Sequence, residues 1–446
     1  MMRHTAAEAS GHSLIPVRVT TETLPGLTLT NLTLDAPLDH ARPDAGTIEV
    51  FARIVTGEGG ADKPCLVFLQ GGPGSEAPRP MLTPANPSWL ARALADYRVV
   101  MLDQRGTGRS TPVSSRVVTT DGRMHADVTG ALAGLDAASQ ADHLTHLRAD
   151  EIVNDCELVR EAVGVSRWTV LGQSFGGFTA LHYLSTHPES LAGALITGGL
   201  SAVQHPIDDV YEATWRIMIA KSEAYYRRFP GDRDRMRELG RLCARGAIAL
   251  PNGDPVSPER LRTIGHRLGM QGGIEQLHYL LELDHTSSAF AHDLAAALPF
   301  GGRNPIYSVL HESSYADGVA TRWSAERTMP DRVRDDPTLL AGEHLHRGLF
   351  AEDAGLRPFA GAADLLAEHE WNQLYVPDRL AAAEVPVAAA VYHDDAYVPL
   401  EFSLETASLL PDCRTWVTSE YEHNGLRMDP GVLDHLIGLL RGRRWL

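Results

Sequence analysis

From about residue 29 to 200 the chain alternates short apolar runs with longer stretches of helical pattern. PCLVFLQ (64–70), YRVVMLD (97–103), WTVLGQ (168–173) and GALITG (193–198) are nearly continuous in apolar character and end in Gly- or Asp-containing turns. Such runs are expected of strands buried on both faces of a parallel sheet. LTLTNLTL and TIEVFARIV, nearer the N-terminus, read as an early hairpin. Between two of the apolar runs, ADEIVNDCELVREAVG places Ile152, Cys156, Val159 and Val163 on one stripe, the spacing of an amphipathic helix lying on a sheet. Strands alternating with helices predict right-handed crossovers and an open α/β fold.

The texture changes after Gly199. Residues 205–380 hold helical stretches such as VYEATWRIMIAKSEAYYRRF and GIEQLHYLLEL, with few strand-like runs. Sheet texture resumes with PVAAAVY (386–392) and CRTWVTS (413–419), and a closing helix follows near VLDHLIGLLRG. The expected organisation is one α/β domain in two parts, residues 1–204 and 381–446, interrupted by a mainly helical cap over 205–380. Separate domains in series would leave the last two strands without a sheet.

Composition narrows the function classes. The 446 residues are 43% hydrophobic, enough for a sizeable core. Against 40 Lys and Arg stand 57 Asp and Glu, a net charge of −17. No basic stripe compensates, so nucleic acid and anionic membrane surfaces are disfavoured as partners. The N-terminal MMRHTAAEASGHSLIPVRV lacks the apolar core of a secretory signal, and no run of 18 apolar residues suggests a membrane span. Cys65, Cys156, Cys243 and Cys413 are scattered without CxxC spacing, which fits reduced thiols in a cytoplasmic protein better than disulfides or zinc.

The strongest chemical signal is VLGQSFGG (170–177). Gly172, Ser174 and Gly176 form G-x-S-x-G after a strand and at the start of a helical run. A nucleophile at the top of a sheet needs a tight strand-to-helix turn, and glycines two positions either side allow it. The helix N-terminus behind it offers free N–H groups to a developing oxyanion. FLQGGPGSE (68–76) also follows a strand and exposes successive backbone N–H groups; its spacing does not fit a dinucleotide fingerprint. A serine nucleophile needs a base and the base an orienting carboxylate, which in α/β-hydrolases follow in the order serine, acid, histidine. His423, in SEYEHNGLR, lies after the last strand-like run, and VYHDDAYVPL (391–400) after the preceding one. Of its two aspartates, Asp395 stands four residues before Pro399, the D-x-x-x-P spacing common for the acid in this fold, and Asp394 is one residue too early. A metal role for His393, Asp394 and Asp395 is disfavoured, because adjacent residues on an extended segment point to opposite sides. Asp103 and Arg105 in DQRGTGRS read as scaffold.

GGPG, DQRGTGRS, GQSFGG and YEHNGLR, in that order, together resemble the proline iminopeptidases, serine peptidases of the α/β-hydrolase fold. The resemblance runs over nearly the whole chain; NPIYSVLHESSYADGVATRWSAER and GEHLHRGLF are similar to the cap of larger bacterial members. One departure is Gln70 before GGPG, where many members carry His. The resemblance implies a mostly parallel sheet with a helical cap before the last two strands, and removal of an N-terminal residue, preferentially proline, without metal or cofactor. It implies Ser174 as nucleophile, His423 as base, and the N–H groups of Gly72 and Phe175 as oxyanion hole. It implies cap glutamates for the substrate's free amine: Glu312 first, Glu343 second. It further implies an apolar, aromatic pocket with Phe175, Tyr307 and Trp323 as candidates, and peptides with a free N-terminus as partners. Two other readings stay open: a different esterase or amidase of the same fold, and a non-catalytic binding protein that keeps the fold.

Overall fold

The computed structural model describes residues 16–83, 85–120 and 123–442; most of the N-terminal stretch weighed above, residues 1–15, lies outside them. Nine strands form the central sheet. β1 (Val17–Leu24), β2 (Leu27–Pro37) and β3 (Thr47–Gly57) are an antiparallel meander at one edge. β4 (Cys65–Leu69), β5 (Arg98–Asp103), β6 (Trp168–Gln173), β7 (Leu191–Thr197), β8 (Val387–Tyr392) and β9 (Cys413–Thr418) complete it in the spatial order β1-β2-β3-β5-β4-β6-β7-β8-β9. β3 meets β5 antiparallel, and from β5 to β9 every pairing is parallel.

The apolar runs become inner strands because both of their faces are covered. Successive side chains point to opposite sides. Leu66, Phe68, Leu171, Leu195, Ala388 and Ala390 face α1 (Leu90–Asp96). Val67, Leu69, Val170, Ile196, Val387 and Ala389 belong to a second buried cluster with α2 (Ala149–Val163) and α3 (Phe175–Thr186). On α2, Ile152, Cys156 and Val159 are buried and Val163 is partly so, and the helix stops on Gly164 at φ 76, the left-handed ending that glycine tolerates.

Between β7 and β8 the chain adds helices but no strand to the central sheet. Its longest helix, α4 (Ile207–Arg228), buries Met218 and Tyr225 in the same cluster as sheet residues Val170 and Ala389. Further along, Phe300, Ile306 and Leu345 pack with Val113, Leu132 and Leu144, which precede α2. The roof over the sheet therefore also recruits chain from between β5 and α2, including the two-stranded ribbon Ser114–Thr120 with Arg123–Thr129. α5 (Leu400–Leu409) follows β8, and α6 (Pro430–Leu440) closes the chain against the α1 side of the sheet. No described helix is long and apolar enough to cross a membrane. All four cysteines are free, and Cys413 alone is not buried.

Candidate active site

Ser174 occupies the turn from β6 into α3 at φ 55, ψ −124. Positive φ is unfavourable for a residue with a side chain and is held here by its surroundings. The turn is this tight because the neighbours lack side chains. A Cβ on Gly172 would collide with the Gly176 carbonyl, and one on Gly176 with the Leu69 carbonyl of β4. Ser174 N–H donates to Thr197 O at 3.0 Å, tying the turn to the end of β7.

The candidate acid and base follow the next two strands. Asp395 follows β8 and His423 follows β9, and His423 Nδ1 lies 2.8 and 3.0 Å from the two Asp395 oxygens. They are only 1% and 3% exposed, so water does not screen the pair. Asp395 Oδ1 also accepts the Tyr397 and Val398 N–H groups at 2.9 and 3.1 Å, which fixes the carboxylate. Asp394 instead points outward, its side chain 68% exposed, and pairs with His393 at 3.0 Å. Burial alone would lower the pKa of His423; the Asp395 carboxylate, helped by Glu343, outweighs that and holds it above the ordinary imidazole value. With Nδ1 engaged by the carboxylate, Nε2 is left as the proton acceptor.

Gly198 and Gly199, at the end of β7, lie where these strand ends converge. A Cβ on Gly198 would stand 3.1 Å from His423 Nδ1 and 3.2 Å from Asp395 Oδ2; one on Gly199 would stand 2.7 Å from Ser174 O. On the opposite side, a Cβ on Gly71 would come within 2.9 Å of Ser174 Cβ, so the GGPG loop after β4 lies against the serine. Neither the Gly72 nor the Phe175 N–H donates to a backbone acceptor among the described residues. The loop is held from the core by Gln104 Nε2, which donates to Gln70 O at 3.1 Å, and from the roof by Asn304 Nδ2, which donates to Pro73 O at 3.3 Å. The side-chain oxygen of Gln70 is buried without a partner. Asp103 accepts both Arg79 Nη atoms at 2.9 Å and the Ala77 N–H at 3.2 Å, while Arg105 holds Asp155 at 2.6 and 2.8 Å. These two side chains brace loops and do not face the serine turn.

The two cap glutamates differ. Glu312 accepts the Ser324 and Ala325 N–H groups at 3.1 and 3.0 Å, so both of its oxygens serve the backbone; burial still pushes its pKa up to about 6. It shares a small cavity with Trp323, Thr321 and Trp371. Glu343 accepts from the Tyr307 hydroxyl and pairs with His311 Nε2 at 3.1 Å and His266 Nε2 at 3.8 Å. Burial opposes its ionisation, yet the His311 and His266 imidazoles hold it well below the usual carboxylate range. Glu343 lines a second cavity with Tyr211, His311, Tyr315 and Tyr397. Tyr397 links that cavity to the base, its ring edge-on to His423 at 4.9 Å. Tyr307 therefore lies on the Glu343 side, Trp323 on the Glu312 side, and Phe175 directly after the serine, buried against Phe178.

Gly198, His266, His311, Tyr397 and Arg427 were given no role from the sequence, although Tyr397 lies within VYHDDAYVPL and Arg427 within YEHNGLR. Packing brings His266 and His311 to Glu343 from distant segments, and no local pattern marks them for it. Tertiary folding also gathers Asp39, His146 and Glu151, whose ligand atoms lie within 4.8 Å of one another. Arg105 Nη1, 3.5 Å from Glu151, already supplies a cation there.

A parallel sheet with a nucleophile-type turn after one inner strand, and an acid and a histidine after the last two, defines an α/β-hydrolase. Residues 64–243 match the alpha/beta hydrolase fold family. Over 425 residues the chain is 42% identical to a proline iminopeptidase of Aeromonas sobria, covering 91% of this chain and 95% of that protein. It is 32% identical over 415 residues to a proline iminopeptidase of Aspergillus aculeatus, covering 88% and 89%. The chain belongs to the proline iminopeptidase family.

Proposed function

We propose that Ser174, His423 and Asp395 are the triad of a prolyl aminopeptidase, which releases an N-terminal residue, preferentially proline, from peptides. The observation that carries this is the buried His423–Asp395 pair, which faces the same Gly198–Gly199 turn as Ser174. His423 Nε2 takes the Ser174 proton as Oγ attacks the carbonyl of the N-terminal residue. The Gly72 and Phe175 N–H groups receive the oxyanion, and His423 then gives its proton to the leaving amine. Water, activated by the same histidine, hydrolyses the acyl-enzyme.

An aminopeptidase must neutralise the substrate ammonium in a site that excludes water, and that requires a carboxylate. Glu343 is the better supported of the two candidates: it is held ionised, lines a cavity next to the base and has Tyr307 beside it. Glu312 has less to offer, because its oxygens serve fixed backbone N–H groups, whereas the partners of Glu343 are side chains. The reading includes the division into a core of residues 1–204 and 381–446 and a cap of residues 205–380, and a cytoplasmic setting, supported by the four free cysteines. A panel of proline, alanine and leucine arylamides beside a simple aryl ester tests the activity. The expected result is fastest turnover of the proline arylamide; ester turnover without it would sink the peptidase reading in favour of an esterase. Labelling by a fluorophosphonate, lost in Ser174→Ala, tests the nucleophile, and failure of the native protein to label would favour a binding protein.

A further inference from the structure

Arg427 stands on the single helical turn, Gly425–Met428, by which the chain leaves the His423 loop. Its Nε donates to Gln173 Oε1 at 3.0 Å, and Gln173 immediately precedes Ser174. The arginine is thus clamped to the nucleophile's strand on one side and to the base's loop on the other. No carboxylate among the described residues lies within ion-pair distance of it, although Arg79, Arg92, Arg105 and Arg160 each hold one. Arg427 is exposed, yet loss of hydration pulls its pKa below the ordinary arginine value, against the attraction of Tyr307 and Glu343. Arg427 in turn opposes protonation of His423. Although the chain has an excess of 17 negative charges, this guanidinium has no ion-pair partner among the described residues and stands between the nucleophile's strand and the loop of His423.

We propose that Arg427 binds the C-terminal carboxylate of a dipeptide, and that the enzyme therefore favours dipeptides over longer peptides with the same N-terminal residue. This rests on the aminopeptidase reading above. With the scissile carbonyl at Ser174 and the leaving nitrogen beside His423, the carboxylate of a dipeptide lies two bonds beyond that nitrogen. Arg427, four residues after His423, is on the element that continues from the base. Gln173 engages only Nε, so both Nη groups are left to form the paired hydrogen bonds that a guanidinium makes with a carboxylate. Each further residue moves the terminal carboxylate about 3.4 Å away along an extended chain, which breaks the contact. Glu343 and Arg427 would then hold the two ends of a zwitterion, with the triad between them.

The test compares kcat/KM for prolylalanine, its C-terminal amide and prolylaspartic acid α-amide, whose side-chain carboxylate is free, in the native enzyme and in Arg427→Gln and Arg427→Lys. In the native enzyme the free acid should exceed its amide by about tenfold or more, in line with a charge-assisted pair. Within Arg427→Gln the ratio should fall toward one, and Arg427→Lys, with its charge but no fork, should keep part of it. Because each ratio is read within one enzyme, any general damage transmitted through Gln173 to Ser174 cancels. Equal rates for acid and amide in the native enzyme overturn the proposal, and so does an undiminished ratio in Arg427→Gln. A preference for the aspartyl α-amide over the free acid also overturns it, by making the anion a side chain. The native comparison stands even where a variant fails to fold. Absence of turnover of every prolyl substrate and of the proline arylamide would instead remove the aminopeptidase reading itself.

Discussion

At His423 two effects oppose each other: burial disfavours the charged ring, and the Asp395 carboxylate favours it and prevails. A general base works only when neutral, and a raised pKa leaves less of it neutral at a given pH. The acidic limb of the kcat/KM profile should therefore have its midpoint above the ordinary imidazole value of about 6.5. Asp395→Asn removes the raising carboxylate, so it should move that limb to lower pH and cut kcat by roughly 10⁴-fold. Asp394→Asn, at an exposed carboxylate paired only with His393, should leave kcat close to native. Arylamide hydrolysis across pH separates the two outcomes. Glu343→Gln keeps the shape and deletes the charge, and should show mainly as a raised KM for substrates with a free amine, by about tenfold or more. Neighbouring Asp394 and Asp395 thus differ because one side chain turns inward onto an imidazole and the next turns into water.

Among the elements, the β6–α3 turn depends on contacts between backbones. Gly176→Ala would press a methyl group into the Leu69 carbonyl of β4, so the strand or the helix must move. A loss of about 1–3 kcal/mol or more is expected, read as a lowered urea midpoint, with activity lost before the fold. This turn was legible in the sequence because its glycines, its strand and its helix are consecutive. So were the inner strands, whose apolar runs reflect two covered faces, and the positions of Asp395 and His423 after the last two. β1 was not legible: VRVTTETL is exposed over nearly its whole length and carries no apolar face to betray it. Nor was the ribbon of residues 114–129, which lies outside the main sheet and packs with the roof. The His311–Glu343–His266 network escaped for a different reason: its members are tens of residues apart, and only packing brings them together. Which cap glutamate the backbone occupies could not be read from residue type, since that depends on the tertiary fold that brings Ser324 and Ala325 to Glu312.

For the whole molecule, roof and sheet share one buried cluster in which Met218, Tyr225 and Leu277 pack with Val170, Ala194 and Ala389. Such continuity predicts that the two do not melt apart: ellipticity and arylamide activity should be lost in one coincident thermal transition. Two separated transitions would show that the cap unfolds independently. The contacts at the base's loop reach further. His423 N–H donates to Gly269 O at 3.1 Å, Gln271 N–H donates to Asn424 Oδ1 at 2.9 Å, and Lys221 pairs with Glu422 at 2.7 Å, so three residues of the roof support the loop that carries the proposed catalytic imidazole. A cap built this way is poor material for modular exchange. Grafting a relative's cap to import a new selectivity would also remove the struts under the histidine, so substrate choice and catalytic competence have to change together, along with the loop that joins them.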